Sequence, residues 1–292
     1  MSDNVEDGNR QALSAVLKDH PVIAWPTVVV AILSVGLWFA SVIAGIKGWM
    51  PIWLAATCAT LMGYWAFTPL HDATHRSVSK HRWLNETVGW LCAIPLGGPF
   101  SAFRYMHLTH HKYTNDPERD PDYWSGGGRR WTLPFRWLTQ DFHYDLIAIR
   151  ITPKMGISWA IQTWGSFILF FGTVAWFAFN GLPWEMFYLV LIPSRLSVAI
   201  LAATFDWLPH DPHEVESRTD RFQATSILID PWLTPLFLWQ NYHLVHHLYP
   251  AVPFYRYAKV WRLEKDRLIE QGARVRSMVP SWRRGQPERR AA

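Results

Sequence analysis

The sequence predicts an all-α integral membrane protein: four transmembrane helices under a helical cytosolic cap that holds a histidine-rich metal site. Three observations carry this expectation: long uncharged apolar runs, a lopsided distribution of basic residues, and histidines gathered into a few short windows. Half of the 292 residues are apolar and 17% are charged, against roughly 25% charged in ordinary soluble domains. The mean hydropathy of −0.02 averages very apolar segments with very polar ones. Nineteen Trp suit a chain that meets membrane–water interfaces, where the ring is apolar and its N–H stays wet. The two cysteines, Cys58 and Cys92, both sit in apolar runs, so neither a disulfide framework nor a cysteine metal cage is available.

Residues 1–20 are polar and lack a charged region followed by a small-residue cleavage site, so they read as a cytosolic N-terminal segment. Residues 21–46 carry no charge, and about 20 such residues span a hydrocarbon core. After the turn Lys47-Gly48-Trp49, a second run, 50–70, ends directly at His71. The third span is 157–180. The fourth, 182–208, is interrupted by Glu185, Pro193 and Arg195, with Asp206 near its end. Two further apolar stretches fall short. Prolines and glycines (Pro95, Gly97, Gly98, Pro99) break 83–103, and Pro231 and Pro235 break 227–239, so both read as re-entrant or interface-lying.

Charge sets the orientation. Residues 71–156 hold 11 Lys+Arg and 209–292 hold 13, whereas the two hairpin turns hold Lys47 alone. The positive-inside bias then puts both termini and the cap, 71–156 with 209–257, on the cytoplasmic side of an inner membrane. The membrane domain is expected over 21–257, followed by a basic cytosolic tail, 258–292. In that tail, 282–290 reads as a solvated end within reach of anionic headgroups. The net charge of +5 is therefore a topology signal, and no nucleic-acid partner is expected.

Eight of the thirteen histidines fall in three five-residue windows: His71 and His75; His107, His110 and His111; His243, His246 and His247. Positions i, i+3 and i+4 share one face of a helix, so each window projects a cluster of imidazoles. Eight ligands are too many for one zinc ion, which takes four, but suit two first-row ions with four or five nitrogens each. Nitrogen ligation alone leaves iron, copper, zinc and nickel open. Soluble di-iron bundles use a Glu-x-x-His pair, which is absent here.

On these residues the chain resembles the membrane-bound fatty acid desaturase superfamily, three-histidine-box enzymes with two irons. The resemblance rests on His71-Asp-Ala-Thr-His75, on 107–116 leading to Asp120-Pro-Asp122, and on 206–210 and 240–250 with Pro253-Phe-Tyr, and covers roughly residues 60–257. The last two stretches resemble most the carotenoid (beta-carotene) ring hydroxylase branch. The resemblance implies two iron ions, O2 as co-substrate, and attack on an unactivated C–H bond of a long lipophilic substrate. Carotenoid ring hydroxylation is the first expectation and fatty-acyl desaturation the alternative; a histidine-rich metal-handling membrane protein is the remote one. It also implies the eight box histidines as ligands, with His210 as the ninth and His213 its competitor.

Asp72, Asp120, Asp122 and Asp206 are candidates for orienting ligating imidazoles, equally readable as caps and turn residues, and Asn241 for holding a metal-coupled water. Arg195, a charge within a span, reads as structural, and Gly126-Gly-Gly128 as a flexible link. His20, His81 and His143 read as surface residues. The chain carries no dinucleotide fingerprint and no four-cysteine cluster, so electrons are expected from a separate ferredoxin or cytochrome. Arg129, Arg130, Arg136, Arg256 and Arg262 are its candidate docking surface.

Overall fold

In the computed structural model, which describes residues 11–279, the long apolar runs form helices that satisfy their own backbone. Helix α1 is Trp25–Ile46, with Pro26 in the first turn, where no amide partner is needed. Gly48, at φ +68°, makes the left-handed turn into α2, Ile52–Thr74. Helices α3 (Arg82–Ala93) and α4 (Phe100–Tyr113) follow, then α5 (Gln140–Ile151) and α6 (Ile157–Phe179). The next helix, α7, runs over Pro183–Trp207. It is not a regular α-helix. Pro193 has no amide to give Leu189, and the helix widens into a π turn at Phe187–Leu191 just before it. A second π turn, Ala202–Trp207, ends the helix around Asp206.

Among the described residues, three helices are long and apolar enough to cross a membrane: α1, α6 and α7. The fourth expected span is the first part of α2. This helix is long enough at 23 residues, but its last nine, Ala66 to Thr74, are buried without exception and include Thr68, Pro69, His71 and Asp72. It trades hydropathy for polar side chains carried into the protein interior. Helix α6 does the opposite. Only Thr163 of its 23 residues is buried, while Ile168, Leu169 and Phe179 are 73%, 73% and 92% exposed. An apolar face of this extent requires a covering medium.

The stretch 83–103 is α3, a single 3-10 turn (Ile94–Leu96) and the start of α4. Its irregular turn is lodged between α2 and α7: a Cβ on Gly63 would lie 2.5 Å from Ser197 Oγ and 3.5 Å from the Pro95 carbonyl. The stretch 227–239 overlaps strand β1, Ser226–Leu228. This strand pairs in parallel with β2, Arg274–Arg276, so among the described residues the all-α expectation holds apart from this pair and the single bridge Ile23–Ser79.

Folded structure continues past both ends of the expected 21–257 domain. Residues 11–18 are helical, with Leu13 and Val16 buried against Leu244, Phe254 and Tyr257, and Asp19 pairs with Arg256 at 2.9 Å. At the other end, α8 (His243–Leu248) is followed by α9 (Tyr257–Glu270), whose Val260 and Leu268 are buried. The expected boundary at 257 therefore falls inside folded structure, because α9 supplies Tyr257 and Val260 to the core and β2 pairs with β1. The expected tail segment 282–290 lies outside the described residues.

Candidate metal centre

Helical geometry sorts the histidines. On α4, His107 and His111 are four residues apart and face nearly the same way, while His110 is turned about 100° from His111. On α8, His243 and His247 pair in the same way and His246 faces elsewhere. The outcome is two groups of nitrogens: His71, His75, His107, His111 and His246 in one; His110, His210, His243 and His247 in the other. Within each group the ligand atoms lie within 4.8 Å of one another. Both three-histidine boxes thus divide between the groups, and all nine expected histidines are gathered. His210 is in; His213 is not, and its Nε2–H instead donates to the Asp206 carbonyl at 3.3 Å.

Neighbouring Nε2 atoms approach closely. His75 and His107 stand 2.8 Å apart, His107 and His111 3.1 Å, and His111 and His246 2.8 Å. In the second group His210–His243 and His243–His247 are each 3.1 Å and His110–His247 3.3 Å. Metal–nitrogen bonds of about 2.0–2.1 Å at right angles put neighbouring ligand atoms about 3 Å apart. Hydrogen bonds alone do not account for these chains, since a neutral imidazole has one N–H. At His110 that proton is on Nδ1, donated to Asp120 Oδ1 at 2.9 Å, and at His246 Nδ1 faces the Tyr257 hydroxyl at 2.9 Å. With Nδ1 as the donor at both, Nε2 is the nitrogen that faces inward toward a cation. His71 Nε2 is buried without a hydrogen-bond partner. The donor set therefore fits two cations bound through nitrogen.

Electrostatics agree. Burial, then repulsion among the imidazoles, holds His71, His107, His111, His210, His246 and His247 well below the usual histidine range; burial first, then repulsion from His110, takes His75 and His243 down to about 3. Neutral imidazole is the form that binds metal. His110 differs: burial again disfavours charge, but Asp120 and Asp122 outweigh it and push it up to about 9. A cation at Nε2 would take the place of that proton.

A match to the fatty acid desaturase family model spans residues 47–278. The chain belongs to this family. Among its relatives, an sn-1 oleoyl-lipid 12-desaturase of Picosynechococcus sp. is 26% identical over 276 residues, 92% of this chain and 70% of that protein. A protein of the same name from Anabaena variabilis is 29% identical over 79% of this chain and 60% of its own length. A dihydrorhizobitoxine desaturase of Bradyrhizobium elkanii is 27% identical over 78% and 75%. These findings support an oxidoreductase of the desaturase superfamily and give no support to the carotenoid branch.

The supporting residues fare unevenly. Asp120 accepts from His110 Nδ1, from the Asn115 amide and from the Asp122 amide, so the turn after α4 exists to aim it. Asp122 Oδ2 lies 3.4 Å from the same Nδ1 and its carboxylate accepts the Tyr144 hydroxyl. Asp72 touches no histidine. It accepts from Thr27 Oγ1 at 2.8 Å and from the Phe254 amide, tying α1 and the C-terminal cap to α2. The Asp206 carboxylate likewise makes no hydrogen bond to an imidazole, although its carbonyl accepts from His213; the residue lines the cleft below the histidines. Asn241 Nδ2 donates to the Leu228 carbonyl, and its Oδ1 is buried without a partner.

Three supporting residues escape sequence reasoning. Tyr257 and Tyr144 lie outside the boxes, with nothing in spacing or composition to mark them. Gln240 has a weak signal, being next to the third box. Its amide lies 3.4 Å from His71 Nδ1, and its Oε1 has no partner. Turned over, that amide accepts Nδ1–H and leaves His71 Nε2 as a ligand.

Two other expectations change. Gly126 is packed rather than flexible: a Cβ there would lie 2.0 Å from the His213 ring. Two of the five candidate docking arginines are engaged internally, Arg136 with the Trp124 carbonyl and ring, and Arg256 with Asp19. Arg129, Arg130 and Arg262 are exposed. Arg195 is structural, as expected: it pairs with Asp141, donates to the Leu138 carbonyl and stacks 4.2 Å over Phe142.

Beneath the histidines lies a narrow apolar cleft of about 100 Å³. Two of its walls are Phe67 and Phe103, whose rings stack on His71 and His107 at 5.6 and 5.5 Å. An apolar substrate in this cleft meets the imidazole groups across two aromatic rings.

Proposed function

We propose that this protein is a membrane acyl-lipid desaturase that converts a CH2–CH2 segment of an acyl chain into CH=CH. The balance is one O2, two electrons and two protons consumed, with the two hydrogens removed from the chain leaving in two water molecules. The observation that carries this reading is the pair of buried groups of imidazole nitrogens, those of each group within 4.8 Å of one another, above an apolar cleft. An unactivated C–H bond offers no acidic proton, so the oxidant has to come from a redox metal, and iron bound by the nine histidines would supply it. The oleoyl-lipid desaturases among the relatives favour acyl desaturation over ring hydroxylation.

The chain's own residues do the rest. His71, His75, His107, His111 and His246 would hold one iron, and His110, His210, His243 and His247 the other. Asp120, Asp122 and Tyr257 keep His110 and His246 in the tautomer that ligates through Nε2. Phe67 and Phe103 would exclude water from the side of the cleft that faces His71 and His107. The chain would sit in an inner membrane with α2 as a fourth span, and with both termini and the metals on the cytoplasmic side, in keeping with its basic segments. A ferredoxin or cytochrome would deliver electrons, with Arg129, Arg130 and Arg262 available to an acidic partner.

The test is metal analysis of the detergent-purified protein, with O2 uptake on reduction and lipid analysis of the expressing host. Two irons per chain, one for each histidine group, should be found. His107→Ala should lose iron and O2 uptake, and the active protein should add a double bond to acyl lipids. Zinc, or loosely exchanging metal without O2 uptake, would overturn the enzyme reading. Iron and O2 uptake with hydroxylated rings and unchanged acyl chains would overturn the substrate.

A further inference from the structure

Two apolar cavities meet at Ala93 and Gly98. The first is the cleft beneath the histidines. The second, of about 590 Å³, lies between α1, α6 and α7 and runs from Gly97 and Gly98 to Ile46 and Phe177, near the far ends of α1 and α6. Ala93 and Gly98 line both. The partition is thus the irregular turn between α3 and α4, and at Gly98 it is backbone only. A Cβ on Gly98 would meet nothing within 4 Å, and its φ is outside the left-handed region; Gly97, at φ +71°, packs against Phe170 instead. Irregular backbone among membrane helices is tolerated where it is buried in protein or lines a cavity.

The second cavity is an open groove, with Ile43, Leu91 and Leu169 of its lining 48%, 47% and 73% exposed, and its volume lies within the roughly 300–1,000 Å³ of ligand pockets. Its chemistry is narrower than its size. Apart from the turn glycines its lining is apolar except for Ser166 and Thr173, whose hydroxyls are donated to carbonyls of their own helix, Gln162 and Leu169, and the indole N–H groups, of which that of Trp38 is buried without a partner. No charged side chain lines it to pair with a charged headgroup. An alkyl chain needs none.

We propose that the two cavities form one path. The methyl-terminal part of the substrate's alkyl chain occupies the second cavity, and the missing side chain at Gly98 sets how far it reaches. This rests on the acyl-lipid reading above. A bulky residue at Gly98 closes the path without touching any histidine. Each methylene kept out of the second cavity costs about fourfold in affinity, from about 0.8 kcal/mol per buried CH2.

The experiment compares wild type, Gly98→Leu and Thr173→Trp, which fills the second cavity from α6. Each is reconstituted in nanodiscs, and decanoyl, myristoyl and oleoyl lipids of one headgroup compete against a radiolabelled oleoyl lipid, with metal content measured alongside. Wild type should bind more tightly with each increase in length. Gly98→Leu should bind the oleoyl lipid at least about tenfold more weakly, yet the decanoyl lipid within about twofold, as expected when only distal methylenes are excluded. Thr173→Trp should repeat the pattern, and both should keep wild-type metal content. One length profile shared by all three proteins overturns the path. Equal weakening for every length in Gly98→Leu overturns the sizing role, since the turn would then be distorting the cleft itself. A wild type that binds no acyl lipid fails the acyl-lipid reading first, separately from the variants.

Discussion

The first histidine group takes five imidazoles and the second four, drawn from overlapping boxes, yet what stands behind them differs. Behind the first are neutral partners, the Tyr257 hydroxyl at His246 and the Gln240 amide at His71. Behind the second is negative charge, with Asp120 and Asp122 both on His110. A carboxylate behind an imidazole raises its basicity and favours a nearby cation, so the second group offsets its missing fifth nitrogen with charge. Two sites of one ligand type can therefore differ in affinity and in electron donation without differing in ligands. The first is set by ligand number, the second by its support.

The largest effect should come from removing a ligand, and it should be local. His111→Ala takes a nitrogen from the first group and His247→Ala one from the second. Each should abolish desaturation, because the two groups serve one cleft. Each should also cost one of the two metal ions rather than both, since the remaining group keeps its own nitrogens. Metal analysis with a spectroscopic probe of the coupled pair separates the cases. Loss of both ions from either variant would mean that the groups assemble as one unit, and the contrast drawn above would fall.

The next effect tests the contrast directly. Asp120→Asn keeps shape but removes the charge behind His110 and leaves Asp122 to support it alone. Outer-shell substitutions of this kind typically cost about 10–100-fold in metal affinity. The loss should appear in the second group only, read by competition with a chelator. Equal weakening of both groups would show that Asp120 acts on the fold, through the Asn115 and Asp122 amides it accepts, rather than on His110.

These contrasts were only half legible in the sequence. The charge-free runs at α1 and α6 and the i, i+3, i+4 histidine spacing are local properties, so they survive into the structure. The division of His110 from His111, and of His246 from His247, depends on how α2, α4 and α8 face one another, which no single window encodes. Asp120 and Asp122 were marked by proximity to a box; Asp72 and Asp206 were marked the same way, and neither carboxylate bonds an imidazole of the two groups. Tyr257 reaches His246 from a helix that reads as tail. Nor does composition show that the end of α2 is buried and polar, or that residues 11–18 pack on the cap.

The smallest effect is the most diagnostic. Tyr257 is fully buried and its hydroxyl has His246 Nδ1 as partner. Tyr257→Phe keeps the ring, so packing against Leu244 and Val260 is preserved. One neutral hydrogen bond is lost, worth about 0.5–1.5 kcal/mol, or roughly tenfold at most in affinity. The loss should fall on the first group, leave the second unchanged, and be smaller than that of Asp120→Asn, because a hydroxyl accepts from imidazole more weakly than a carboxylate does. Placing both substitutions in one chain completes the argument. If the groups are independent, the two losses add within about 0.5 kcal/mol. If they exceed the sum, the stacked pair His111 and His247, 4.3 Å apart at the seam, transmits the disturbance from one group to the other.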